Sequence, residues 1–192
     1  IADVELPDAQ LPVKGMGDWA IVSTSKPYSL SSMWEGRTRS DYYKVSLETG
    51  ERTLIAKADY AGYRLSPAGK YVGTYNATDS CWYTINLADN RKIQLTTPQT
   101  FPAWDEDNDV PNYPSPHGMA GWTKDDAALL IYDRYDIWSF DPEGKKAPVK
   151  LTKDGREKQV TYRRIVLDRE QVDIDLKQPM LLTGFNEVDK ST

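Results

Sequence analysis

Apolar and polar residues alternate with a period of two along Tyr43-Lys44-Val45-Ser46-Leu47, and a polar turn, Glu48-Thr49-Gly50-Glu51, separates this run from Arg52-Thr53-Leu54-Ile55-Ala56. Such alternation broken by turn residues predicts a β-hairpin with one buried face. The pattern continues through Gly62-Tyr63-Arg64-Leu65, Tyr71-Val72-Gly73-Thr74-Tyr75, an aromatic-rich run from Trp82 to Leu87, and a short run from Lys92 to Leu95. Between the first two of these lies Ser66-Pro67-Ala68-Gly69, with proline where φ is fixed and glycine where positive φ is easy. The whole unit then returns. Leu65-Ser66 is matched by Trp122-Thr123, the run from Cys81 to Leu87 by that from Asp136 to Pro142, and Leu95-Thr96 by Leu151-Thr152.

A strand–turn–strand–strand unit recurring at roughly 40–55 residues predicts the blades of a β-propeller. One such unit cannot bury both of its faces alone, so the repeat implies stacked neighbours. The expected fold is therefore all-β: a partial β-propeller of about three complete four-stranded antiparallel blades plus part of a fourth. Taken as a single domain over 1–192, the blades fall at 19–57, 61–97, 118–153 and 160–192. The interval from Leu95 to Leu151 exceeds that from Leu47 to Leu87, and the excess maps to residues 98–118, a proline-rich insertion carrying Asp105-Glu106-Asp107-Asn108-Asp109. Aperiodic loops of more than about 12 residues tend to be functional or disordered. A second, polar insertion spans residues 26–40. Residues 160–167 and 179–185 read as the opening strands of the fourth unit, and the charged segment 167–176 between them as a short helix or an ordered turn. Because propellers close with roughly 4–8 blades, the chain reads as part of a longer protein, with an upstream segment before Ile1.

Composition narrows the classes of function. The 12 Tyr and 6 Trp against 3 Phe favour half-buried sheet faces. A net charge of −5, from 24 basic and 29 acidic residues, argues against a nucleic-acid partner. No apolar run approaches the roughly 18–20 residues of a membrane span. Cys81 is the single cysteine and His117 the single histidine. An intrachain disulfide, a cysteine-based zinc site and a multi-histidine metal centre are thereby excluded. Cys81, beside Trp82 and Tyr83, reads as a packed strand residue.

The strings Leu65-Ser66-Pro67-Ala68-Gly69-Lys70, Tyr132-Asp133-Arg134-Tyr135-Asp136-Ile137-Trp138 and Phe140-Asp141-Pro142, with the repeated Leu-Thr pairs, resemble the N-terminal propeller of prolyl-oligopeptidase-type serine peptidases. The likeness is greatest to exported, dipeptidyl-peptidase-like members from Bacteroidetes, and it extends from Trp19 to Phe185. It implies a propeller that caps a C-terminal α/β-hydrolase domain of the same parent protein, gates or shapes peptide access to it, and is exported or periplasmic. The family's Gly-x-Ser-x-Gly elbow, which exposes the nucleophile on a strand–turn–helix, does not occur here. No catalytic residue is therefore assigned, and the chain alone is expected to be inactive. An alternative is a stand-alone TolB-like propeller that binds a protein or glycan through its loops.

Within the insertion, the acidic run has alternating oxygen donors. It lacks the glycine and terminal glutamate of a calcium loop of the EF-hand type, and no metal or cofactor is expected. If these carboxylates face the substrate channel, they would attract a peptide's amino terminus. The expected substrate-facing residues are therefore Trp104, Asp105, Glu106, Asp107, Tyr113 and His117. The other aromatics, including Trp82, Trp122, Tyr132, Tyr135 and Trp138, read as packing between blades.

Overall fold

The structure, a computed structural model, describes residues 3–13, 17–168 and 170–192. Arg169, inside the charged segment 167–176, lies outside the described residues. Three four-stranded antiparallel sheets follow one another along the chain, then a two-stranded one. Sheet I contains β1 (Asp8–Gln10), β2 (Trp19–Thr24), β3 (Ser40–Ser46) and β4 (Arg52–Asp59), with a short helix α1 (Ser29–Glu35) between β2 and β3. Sheet II contains β5 (Tyr63–Leu65), β6 (Tyr71–Asn76), β7 (Cys81–Asn86) and β8 (Lys92–Gln94). Sheet III contains β9 (Met119–Trp122), β10 (Leu129–Tyr132), β11 (Ile137–Phe140) and β12 (Val149–Lys150). After α2 (Gly155–Lys158), sheet IV pairs β13 (Val160–Arg164) with β14 (Leu182–Asn186). In each sheet, spatial order equals chain order, the simple meander of a propeller blade.

The period-2 alternation sends neighbouring residues into different cores. In β2, Ile21 joins Tyr63, Val72 and Ile85 between sheets I and II, while Ala20 and Val22 pack on the other face beneath Leu6. In sheet II, Tyr75 and Trp82 turn the opposite way and meet Trp122, Leu129 and Ile131 of sheet III. In β10, Leu130 and Tyr132 face sheet IV with Ile137 and Ile174. Leu129, Leu130 and Ile131 are all 0% exposed, and each contributes roughly 1.5–3 kcal/mol relative to an exposed side chain. This stack of separate four-stranded sheets is neither a continuous barrel nor a two-layer sandwich. It is a partial β-propeller.

The repeated polar pairs have a structural cause. The Thr96 hydroxyl accepts the N–H of Trp82 at 2.8 Å, and the Thr152 hydroxyl accepts that of Ile137 at 2.9 Å. Each threonine thus prolongs the pairing of the third and fourth strands beyond its regular end. Ser66 and Thr123 likewise accept the N–H of Tyr71 and Ala128. Asn76, Asp133 and Asn186 each accept an N–H two residues on, closing the turn at the end of β6, β10 and β14. Gly69 adopts φ 71° in the Ser66-Pro67-Ala68-Gly69 turn, where a Cβ would come 2.9 Å from Pro12.

Polar joints couple one sheet to the next. The Gln10 side chain donates to the Tyr63 carbonyl at 2.7 Å and accepts the Leu65 N–H at 3.0 Å, imitating a strand pair between β1 and β5. Buried Asp126 accepts the Ser66 hydroxyl and the N–H groups of Ala68 (3.0 Å) and Lys70 (3.2 Å), joining sheets II and III. Ile174 exchanges backbone hydrogen bonds with Trp122 and Lys124, joining sheets III and IV. The segment 167–176 forms turns around this joint, with no helix among its described residues. No helix of the described residues is long and apolar enough to cross a membrane.

Candidate functional site

Because each sheet is a meander, its connections sort to two ends. The ends of β2, β6 and β10 and the starts of β5 and β9 lie together, so both insertions, residues 25–39 and 95–118, emerge at the same end. The longer one is anchored at its base. Phe101 (4% exposed) and Ala103 (0%) sit in the core between sheets II and III. Phe101 contacts Trp138 and Phe140 edge-on, with ring centroids 5.3 and 5.0 Å apart. Backbone hydrogen bonds from Asp105 to Ser115 (2.8 Å) and from His117 to Ala103 (3.0 Å) close the loop into a ribbon, with Trp104 opposite Pro116. Trp104 packs against the same core.

The ribbon straddles the stack. On one side its carboxylates are clamped by arginines of sheets III and IV. Asp107 pairs with Arg134 at 2.9 Å, and Glu106 with Arg156 at 3.2 Å. Arg134 also pairs with Glu187 at 2.9 Å, and Tyr135 lies beneath both guanidinium groups at 5.3 and 5.2 Å. Hydrogen bonding to Arg134 holds the Glu187 carboxyl below the usual glutamate range. The Asp105 carboxylate accepts the N–H of Asp107 within its own turn. His117 is half-buried beside this cluster, and its Nε2 has no hydrogen-bond partner among the described residues. Burial lowers its pKa and the Arg163 charge adds to that, while Asp105, Glu106 and Asp133 oppose both. Two carboxylates of the acidic run, Glu106 and Asp107, are thus already engaged with cations.

On the other side, residues 112–116 face sheets I and II across a cleft of about 810 Å³. Buried Tyr75 and Trp82 form its inner wall, and the Tyr75 hydroxyl donates to the Pro114 carbonyl at 3.3 Å. Arg37, from the shorter insertion, donates to the Asn112 side chain. Its guanidinium lies 5.8 Å from the Tyr60 ring centroid and 5.6 Å from that of Tyr113. Tyr60 is held in turn by Arg39 and Glu35, each at 2.8 Å from its hydroxyl. Arg64, on β5, is exposed and lines the cleft without an ion pair or hydrogen bond among the described residues. Asp59, also in the lining, is occupied by the Ala61 N–H (2.9 Å) and the Tyr63 hydroxyl (2.7 Å). The Trp82 indole N–H is buried and has no partner among the described residues.

Of the six residues expected to face substrate, Tyr113 alone lines this cleft. Trp104 packs on the core and Glu106 and Asp107 pair with arginines, while Asp105 is exposed at the turn and His117 lies half-buried beside them. Arg37 and Arg64 were not legible as site residues. One sits in a polar loop and the other between Tyr63 and Leu65, where a cation reads as the solvent-facing half of an alternating strand. Cys81 is buried, and burial pushes its thiol pKa up, so it is a poor nucleophile.

Among solved structures, the chain is similar to the β-propeller domain of the Trilobed protease from Pyrococcus furiosus, at 14% identity and a TM-score of 0.44, over 76% of this chain and 43% of that one. It is also similar to an acylaminoacyl peptidase solved in complex with Z-Gly-Gly-Phe-chloromethyl ketone, at 12% identity and a TM-score of 0.28, over 77% of this chain and 32% of that one. The chain spans less than half the length of either structure. No protein-family model and no curated protein matches it.

Proposed function

We propose that this chain is a non-catalytic part of the propeller of a prolyl-oligopeptidase-type serine peptidase, where it gates and shapes peptide access to a hydrolase domain of the same parent protein. The observation that carries the reading is the gathering of both insertions and the aromatic cleft at one end of a stack of four-stranded meanders. A propeller built this way can admit short, extended peptides between its loops and exclude folded chains. It also shields the reaction from bulk water. The strings quoted above, from Leu65-Ser66-Pro67 to Phe140-Asp141-Pro142, supply the family, and with it an exported location. The chain has no Gly-x-Ser-x-Gly elbow, so its own residues supply walls and contacts.

The test is to treat the full-length protein with a fluorophosphonate and map the modified residue. One labelled serine outside these 192 residues, with loss of hydrolysis of proline-containing peptides, is the expected result. No labelled serine, or a label on a serine of this segment, would overturn the reading. The first of those results would favour a propeller that only binds.

A further inference from the structure

We infer that the cleft between sheets I and II is a subsite for a carboxylate carried beside an apolar or aromatic residue of a peptide. The choice of a peptide rests on the function proposed above. The choice of a carboxylate rests on the cleft alone.

Three features converge. First, the lining is cationic although the chain is acidic overall, with a net charge of −5. Arg37 and Arg64 both contribute, and neither has a carboxylate partner among the described residues. Asp59, the carboxylate in the lining, already accepts two hydrogen bonds from its own loop. A planar guanidinium presents paired donors that match a carboxylate, and it is weakly hydrated enough to act in a half-enclosed site. Second, Arg37 is pre-positioned. Stacked near the Tyr60 and Tyr113 rings and tied to Asn112, it surrenders little side-chain freedom when it takes a ligand. Third, the inner wall is apolar, and the buried Trp82 in it keeps an indole donor without a partner among the described residues. A cleft of about 810 Å³ with a few convergent polar groups has the size and character of a binding site. The opposite arrangement holds across the ribbon, where Arg134 and Arg156 have each found a carboxylate. The contrast separates arginines that brace the ribbon from arginines that are open to an anion.

The carboxylate can come from an acidic side chain or from a chain's carboxyl terminus. Three tetrapeptides distinguish these sources: one blocked at both ends with Glu beside Phe, its Gln counterpart, and the Gln peptide with a free carboxyl terminus. Each is titrated into full-length, fluorophosphonate-treated protein by calorimetry. At least one carboxylate peptide should bind roughly ten-fold or more tightly than the blocked Gln peptide, as expected for hydrogen bonds to a charged group. That preference should shrink with added salt. It should also be lost in Arg64→Gln, a change that removes no ion pair or side-chain hydrogen bond among the described residues. In Arg37→Gln it should fall, with near-ultraviolet circular dichroism showing whether the ribbon has kept its place. Equal affinity for all three peptides, no binding of any, or a preference that survives Arg64→Gln would overturn the inference. Serine labelling is read separately, so a peptidase with an indifferent cleft and a selective cleft without a peptidase give different results.

Discussion

His117 shows how a single side chain responds to two environments at once. Burial and Arg163 favour its neutral form, while Asp105, Glu106 and Asp133 favour the cation, and the former prevail. A histidine whose folded pKa is depressed binds fewer protons folded than unfolded. Stability is therefore fully present above its ordinary value of 6.5 and declines as pH falls through that value toward the folded one. Thermal melts from pH 8 to pH 5 should show a larger loss for the native protein than for His117→Gln. Equal losses would mean that the histidine is solvated. The sequence reads His117 as a substrate-facing residue of the insertion. The opposing charges were not legible, because Arg163 lies far along the chain and is brought near only by the stacking of sheets.

At the scale of elements, what could be read depended on whether a segment announces itself by hydrophobicity or by hydrogen bonds. Strand β3 was plain from alternation, and the central strands of sheets II and III from the recurring unit that ends in a Leu-Thr pair. Strand β1 was not. Its three residues are largely exposed, and it is held by pairing to β2 and by the Gln10 amide, neither of which leaves an apolar period. The insertion 98–118 read as a surface loop from its prolines and acids, yet Phe101 and Ala103 make its base part of the core. Phe101→Ala should accordingly cost about 3–5 kcal/mol, comparable to other large buried aromatics. Asp107→Asn at the loop's crown should cost no more than about 1 kcal/mol, since that pair is largely solvated. Urea unfolding of both variants checks the contrast, and similar costs would mean that the ribbon is anchored by its charges.

For the molecule as a whole, no core reaches beyond two adjacent sheets, so stability is close to a sum of nearest-neighbour terms. The joint between sheets I and II contains the Gln10 amide pair in addition to the Ile21, Tyr63 and Val72 core. Gln10→Ala removes both of those hydrogen bonds while leaving the apolar contacts intact. It should split the calorimetric melt, with sheet I leaving at a lower temperature than the rest. A single transition shifted as a unit would show stronger coupling than nearest neighbours provide. The cleft itself spans this joint, because Arg37 comes from sheet I's insertion and Arg64 from sheet II.

That placement turns a small amide into a hinge pin. Any slippage of the first sheet against the second would widen the jaws that hold Arg37 and Arg64, so occupancy of the cleft and the grip of Gln10 should reinforce one another. A guest lodged between those jaws would act as a rivet, raising the temperature at which the first sheet departs.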